Sequence, residues 1–186
     1  MVAARDAQNQ HGFMRRSDQL YWLQSAEVSL DERSLAGTEY LIQQNNQVCG
    51  RPQTLDLTAE AERLASLRKA ISLGFVNAAH DISEGGLLVA ISEMALLGRR
   101  GVDISFDFCQ SDRLDIQAFG ERSGFVVSVP VAKRAEFEQG ISAAFSVHRL
   151  GEVTGQSLQC SALQLTIGLN ELGEAYFHAI RKIMAS

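Results

Sequence analysis

The sequence lacks several features that would indicate a membrane or nucleic-acid protein. It has no run of about 18 apolar residues, the minimum for a membrane-spanning helix, and we predict no membrane partner. Basic residues are too few for a nucleic-acid surface, since 17 Lys and Arg stand against 22 Asp and Glu. The adjacent Arg pairs, Arg15-Arg16 and Arg99-Arg100, are isolated. Nucleic-acid surfaces are usually basic, so the net charge of −5 argues against that class.

Paired cysteines and clustered histidines are also missing. Cys49, Cys109 and Cys160 are odd in number and widely spaced, which predicts free thiols in a reducing cytosol. None of the four histidines has a second histidine at metal-ligand spacing. The sequence therefore predicts a cytoplasmic protein without a metal site.

Hydrophobic periodicity predicts an α+β fold, a layered mixed sheet covered by helices. A lead-in over 1–50 carries a strand at Gln19–Leu23 and a short helix near Thr38, and belongs to a preceding domain or linker. Residues 51–186 form the main domain. The predicted strands are Phe75–Ala79, Val102–Phe108, Phe125–Val129, Val147–Val153 and one or two within Leu158–Ile167. The predicted helices are Asp56–Leu73, Leu87–Leu97, Leu114–Ala118, Lys133–Phe145 and Leu169–Met184.

One polar turn between a predicted strand and helix is the candidate site. It contains six candidate residues: His80, Asp81, Ser83, Glu84, Gly85 and Gly86. A glycine turn that opens a helix points free N–H groups and the positive end of the helix dipole at one place, so it suits a phosphate or nucleotide. The alternative is an ordinary helix start with Ser83 as its N-cap.

The two carboxylates of this turn also have two interpretations. Asp81 and Glu84 could hold magnesium or tune a proton, or they could serve only the turn and the helix dipole. Glu121, in a second glycine turn, is a weaker candidate of the same type. Because Ser83 has no adjacent base and the turn is not a nucleophile elbow, we assign no catalytic residue.

Four blocks in order resemble the C-terminal domain of the aminoimidazole ribonucleotide (AIR) synthetase superfamily, and within it the phosphoribosylformylglycinamidine synthase family. The blocks are Leu35–Leu41, Ala79–Leu87 with Glu93-Met94-Ala95, Phe119–Glu121 and Leu150–Val153. Ala36, Thr38 and Ala118 stand where this family often has Gly, Ser and Leu. Other superfamily members, such as selenophosphate synthetases and hydrogenase-maturation proteins, usually differ at Ile82-Ser83.

The resemblance implies an ATP- and magnesium-dependent purine-biosynthesis ligase that converts formylglycinamide ribonucleotide to its amidine with ammonia from a glutaminase subunit. In this family the catalytic His and the ATP-contacting groups belong to N-terminal-type domains that precede this region. The resemblance therefore implies a fragment that is inactive alone, in which His80 is not the catalytic His and no cofactor is certain. The alternative is a stand-alone ligand-binding or assembly module that docks through an exposed Trp22 region.

Overall fold

A seven-stranded mixed sheet forms the centre of the computed structural model, which describes residues 15–25, 31–51, 54–105 and 113–185. Numbered in chain order, the strands lie side by side as β2 (Ala78–Asp81), β4 (Gly124–Val129), β1 (Gln19–Gln24), β5 (Ser146–Val153), β3 (Val102–Ile104), β6 (Ser157–Cys160) and β7 (Leu165–Gly168). Only the pairing of β3 with β6 is parallel among the described strands. Helices cover both faces of the sheet, so the predicted layered α+β architecture is confirmed.

The described elements follow one another in a mixed order, and β5, β6 and β7 are consecutive along the chain. The strands are β1 (Gln19–Gln24), β2 (Ala78–Asp81), β3 (Val102–Ile104), β4 (Gly124–Val129), β5 (Ser146–Val153), β6 (Ser157–Cys160) and β7 (Leu165–Gly168). The helices are α1 (Glu39–Asn45), α2 (Leu57–Ser72), α3 (Gly86–Gly98), α4 (Leu114–Phe119), α5 (Arg134–Ile141) and α6 (Leu169–Ala185). Short 3₁₀ turns cover Glu32–Leu35 and Val131–Lys133.

Alternation along β1 divides its side chains between two hydrophobic cores. Leu20 and Trp22 pack with the buried face of α3, whereas Tyr21 and Leu23 pack with α2 and α5. Successive side chains of a strand point to opposite faces, which explains this division. Helix α3 is apolar on most sides because the sheet, α4 and α6 all pack around it.

Strand β1 lies in the middle of the sheet, although it precedes residue 50. It pairs antiparallel with β4 on one side and with β5 on the other. The division of the chain at residue 50 stays a prediction, and β1 shares one sheet with the strands that follow that position. The prediction that Trp22 lies in an exposed docking region is wrong, because this side chain is 0% exposed.

Several predicted element ends shift in the structure. The helix predicted from Asp56 begins at Leu57, and Asp56 is its N-cap, because the Asp56 carboxylate accepts hydrogen bonds from the N–H groups of Thr58 and Ala59. The helix predicted at Lys133–Phe145 ends at Ile141, and Leu158–Ile167 holds two strands. The C-terminal end of the strand predicted at Val102–Phe108, like Cys109, lies outside the described residues.

The described helices give no candidate for a membrane span. The two cysteines that the structure describes, Cys49 and Cys160, are not joined in a disulfide.

Candidate functional site

The candidate turn begins later than predicted, because β2 runs to Asp81. His80 and Asp81 therefore lie in the strand, where they pair with Val126 and Phe125 of β4. The observed strand therefore lies further along the chain than the predicted strand at Phe75–Ala79. Of the six candidate residues, Ser83, Glu84 and Gly85 form the turn and Gly86 opens α3.

The two ring nitrogens of His80 lie close to oxygens of Asp81 and Glu93. The Nδ1 atom lies 2.7 Å from the backbone oxygen of Asp81, and the Nε2 atom lies 3.3 Å from Oε2 of Glu93 in α3. The other oxygen of Glu93 accepts a hydrogen bond from the Tyr176 hydroxyl of α6 at 2.9 Å. This hydrogen bond raises the pKa of Tyr176. Glu93 thus connects β2, α3 and α6. The polar groups around His80 therefore have a structural role.

Both glycines of the turn adopt left-handed backbone angles, with φ of 83° at Gly85 and 75° at Gly86. A Cβ at Gly86 would lie 2.5 Å from the carbonyl carbon of Phe119, at the end of α4. Non-glycine residues rarely adopt these angles, and Gly86 also needs the close approach to the α4 backbone. The two glycines therefore determine where α3 begins and allow its first turn to pack closely against the end of α4.

Ser83 is not the N-cap of α3. The N-cap is Gly85, which has no side chain to donate or accept a capping hydrogen bond. Ser83 contributes its carbonyl oxygen, which accepts from the Gly86 N–H at 3.0 Å. The side chains of Asp81, Ser83 and Glu84 are exposed at the surface.

Glu121 occupies the position next to this turn. Its Oε1 accepts a hydrogen bond from the Gly85 N–H at 2.8 Å and another from the Glu39 N–H at 3.0 Å. Glu39 is the first residue of α1, the short helix predicted near Thr38, and Thr38 is its N-cap. One carboxylate therefore joins the N-terminal end of α1 to the turn before α3, a favourable place for negative charge.

Three of the four blocks singled out in the sequence meet at this corner. Thr38 and Glu39 come from the first block, Gly85 from the second and Glu121 from the third. The Tyr40 ring stacks on Phe119 with centroids 4.9 Å apart and an angle of 4°. The fourth block lies in β5, away from this corner. We name the corner formed by Thr38, Glu39, Gly85, Gly86 and Glu121 the Glu121 junction.

The sequence alone does not place Glu121 beside the turn, because Glu121 is separated from Gly85 by 36 residues and from Glu39 by 82. The available signal was that Glu121 follows Gly120 in a turn that resembles a family block. Within the part of the chain that the structure describes, no group of three or more His, Cys, Asp or Glu residues forms a metal site. A magnesium role for Asp81 and Glu84 stays a prediction.

Comparison with protein families gives a match over most of the chain. The family described as "AIR synthase related protein, C-terminal domain" matches residues 17–160. Phosphoribosylformylglycinamidine synthase subunit PurL of a Cyanothece strain is 32% identical over 164 residues, which cover 82% of this chain and 21% of the relative. The PurL subunit of a Synechococcus strain is 41% identical over 145 residues, covering 76% of this chain and 18% of the relative. The chain thus spans about a fifth of the length of the curated relatives it matches.

Solved structures share the fold at low sequence identity. Thermotoga maritima PurL, in a structure described as complexed with FGAR, has a TM-score of 0.65 and 15% identity, and covers 87% of this chain and 28% of that chain. The hydrogenase maturation protein HypE of E. coli has a TM-score of 0.56 and 16% identity, and covers 87% of this chain and 51% of that chain. A PurL subunit and a hydrogenase maturation protein therefore share this fold, and identities this low bear on the fold alone.

Proposed function

The chain belongs to the AIR synthase related C-terminal domain family, and we propose that it serves as the C-terminal domain of a phosphoribosylformylglycinamidine synthase. In this role it belongs to an ATP-dependent ligase of purine biosynthesis in the cytoplasm. The observation that carries the proposal is the identity of 32–41% with PurL subunits over 76–82% of the chain. The fold alone would fit HypE as well.

The share of the relatives that the chain spans supports a role for the domain within a larger enzyme. Its partners are the N-terminal-type domains of the same enzyme, and in the holoenzyme a glutaminase subunit that supplies ammonia. ATP and Mg²⁺ are the cofactors of the whole enzyme. T. maritima PurL has been solved in complexes with ATP and with ADP, which supports the nucleotide part of this proposal.

The 80–86 turn is the part of the domain that faces nucleotide or phosphate in this proposal. The Gly85 and Gly86 N–H groups already donate to Glu121 and to the Ser83 carbonyl oxygen. An anion that binds at Gly85 has to displace the Glu121 carboxylate, and Asp81, Glu84 and Glu121 would repel it. A magnesium-bound phosphate fits better than a bare one, since the cation offsets this repulsion.

A titration followed by amide NMR tests the role of this turn. We expect Mg-ATP, added to the chain, to shift the Gly85 and Glu39 amide signals more than inorganic phosphate does. Glu121→Gln, which removes the competing charge, strengthens phosphate binding. If neither ligand shifts these signals in either protein, the turn does not bind phosphate in the isolated chain.

Complementation tests the function itself. A PurL subunit truncated to remove the region that matches this chain is mixed with the purified chain, formylglycinamide ribonucleotide, ATP, Mg²⁺ and ammonia. We expect the mixture to recover amidine formation that the truncated subunit lacks. No recovery by this chain, when the excised region of the relative itself restores turnover, contradicts the proposal.

A further inference from the structure

Helix α6 rests on α3 over its first half. Gly173 of α6 faces Leu96, since a Cβ added to this glycine would lie 3.6 Å from Cδ2 of Leu96. One turn further along α6, the Tyr176 hydroxyl donates a hydrogen bond to Glu93 at 2.9 Å. The contact thus moves toward the start of α3 as α6 advances. The two helices therefore run in opposite directions.

The second half of α6 carries an exposed apolar surface. Its four side chains, which we call the distal α6 face, are Phe177 (59% exposed), Ile180 (75%), Ile183 (74%) and Met184 (84%). Spacings of three and four residues place them on the side of α6 that faces α3 in the first half of the helix. A contiguous apolar patch of this kind marks an interaction surface more often than single exposed residues do.

The distal α6 face lies toward the end of the domain that carries the 83–86 turn. Beyond the contact between Tyr176 and Glu93, α6 continues in the direction of the start of α3. Ile183 is as many residues beyond Tyr176 as Gly86 is before Glu93, and each interval spans ~10 Å of helix. Ile183 is therefore close to the level of Gly86 along α3.

The exposed apolar residues of α2, such as Leu57, lie on the other side of the sheet. The buried residues of α2 belong to the core that contains Tyr21, whereas Leu87 in the first turn of α3 belongs to the core that contains Trp22. A partner that covers the turn before α3 is thus on the side of the distal α6 face and not on the side of α2.

The rest of the proposed enzyme is the occupant that these observations favour. Roughly four-fifths of each PurL relative lies outside the region that this chain matches, so a large partner surface is available. A stable interface takes about 20–30 residues from each partner. Four side chains are too few to form one alone. The distal α6 face is therefore part of a wider contact, and the exposed turn toward the same end of the domain extends it.

We propose that one N-terminal-type domain of the ligase binds the distal α6 face and covers the 83–86 turn. The inference rests on the proposed function, in which this turn faces nucleotide or phosphate. Ile180 and Ile183 bury apolar area against the partner, which supplies affinity that does not depend on the ligand. The exposed side chains of Ser83 and Glu84 then face the cleft that the partner closes.

Recovery of turnover measures this contact. The partner is a truncated PurL subunit whose own excised region restores amidine formation, and it is titrated with the chain under the conditions of the complementation experiment. We expect Ile180→Lys to raise the chain concentration that gives half-maximal turnover at least about tenfold, because the lysine would be buried against apolar groups. Met184→Lys repeats the test at a second exposed position, so a folding defect of one variant does not decide the result.

Leu57→Lys is the matched control on α2, since the exposed fractions of Leu57 and Ile180 are 76% and 75%. We expect this control to change the half-maximal concentration by less than about twofold. The proposal is overturned if Leu57→Lys and Ile180→Lys have equal effects. It is also overturned if both α6 variants give the half-maximal concentration of the native chain.

Hydrogen exchange in the mixture tests whether one partner covers both surfaces. We expect the truncated subunit to slow exchange of the native chain over residues 177–185 and over residues 83–86. Ile180→Lys should reduce the protection of both segments, because both belong to one contact. Protection of the turn without protection of the distal α6 face overturns the proposal, since the partner then binds through another surface.

The same experiments separate this inference from the proposed function and from a second copy as the occupant. If the native chain restores no turnover, the proposed function fails and the inference fails with it. If both α6 variants restore turnover as well as the native chain does, the function stands and only the inference is overturned. In ultracentrifugation of the chain alone we expect the 20.3 kDa monomer. A dimer that Ile180→Lys dissociates, with equal binding of both forms to the truncated subunit, assigns the face to a second copy and overturns the proposal.

Discussion

The Glu121 carboxylate accepts a hydrogen bond from the Gly85 N–H at 2.8 Å. It therefore occupies the position at the start of α3 that the sequence predicted for a phosphate. A carboxylate and a phosphate oxygen compete for the same donor. The domain thus supplies an internal anion at its candidate site, and this carboxylate also holds the N-terminal end of α1.

Removing the Glu121 carboxylate should loosen two helix starts at once. We expect Glu121→Ala to reduce the free energy of unfolding by about 1–2 kcal/mol, because two hydrogen bonds to a charged group are lost at a half-buried position. Hydrogen exchange at the Gly85 and Glu39 amides should accelerate more than at the amides of β4. Denaturant unfolding and exchange by NMR measure the two effects.

Glu62→Ala is the control for this change, since Glu62 is an exposed carboxylate on α2. It should change the free energy of unfolding by no more than ~0.5 kcal/mol. If Glu121→Ala leaves the exchange of Gly85 and Glu39 unchanged, Glu121 does not hold the junction together in solution.

Gly86→Ala should be far more damaging than Gly74→Ala. Their φ angles are nearly equal, 75° and 74°, so the backbone strain of an alanine is similar at both. At Gly74 no heavy atom lies within 4 Å of the added Cβ, whereas at Gly86 the Phe119 backbone lies 2.5 Å away. We expect a loss of about 1 kcal/mol for Gly74→Ala and about 3 kcal/mol or more for Gly86→Ala. Equal losses in denaturant unfolding would show that α3 can move away from α4.

Most of the fold, but little of the site, could be predicted from the sequence. The β1 strand and the short helix near Thr38 depend on local patterns of a few residues, and the structure confirms both. Glu121 contacts groups 36 and 82 residues away, so no local pattern could place it at the turn. The burial of Trp22 depends likewise on β1 lying between β4 and β5, a pairing between distant segments.

Acidification should lower the free energy of unfolding through protonation of His148. Burial lowers the pKa of this imidazole, and the Arg122 charge lowers it further. Because the pKa is lowered in the folded state, the stabilisation is complete above the unfolded value of 6.5 and is lost as the pH falls through the folded value. We expect unfolding free energies measured from pH 7.5 down to 5 to fall less steeply in His148→Gln than in the native chain.

Trp22 reports on this titration, since it is the single tryptophan and its ring lies 5.2 Å from the His148 ring. His178→Gln, on α6, controls for the loss of an imidazole elsewhere. An identical pH dependence in the native chain and His148→Gln would contradict the assignment to His148.

The Tyr176 hydroxyl should contribute to holding α6 on α3. Tyr176→Phe removes its hydrogen bond to Glu93 and keeps the ring, so we expect faster hydrogen exchange in the first turns of α6 and a loss of about 0.5–1.5 kcal/mol. Tyr40→Phe is the matched control, because its ring stacks on Phe119 without using the hydroxyl. Unchanged exchange in α6 would mean that the helix is held by its apolar contacts alone.

We propose that this chain serves as one domain of a ligase and has no catalytic activity by itself. The most direct test is to incubate the purified chain with formylglycinamide ribonucleotide, ATP, Mg²⁺ and ammonia, and to measure amidine and ADP formation. We expect neither product to form above the rate measured without protein. Turnover by these 186 residues alone would contradict it.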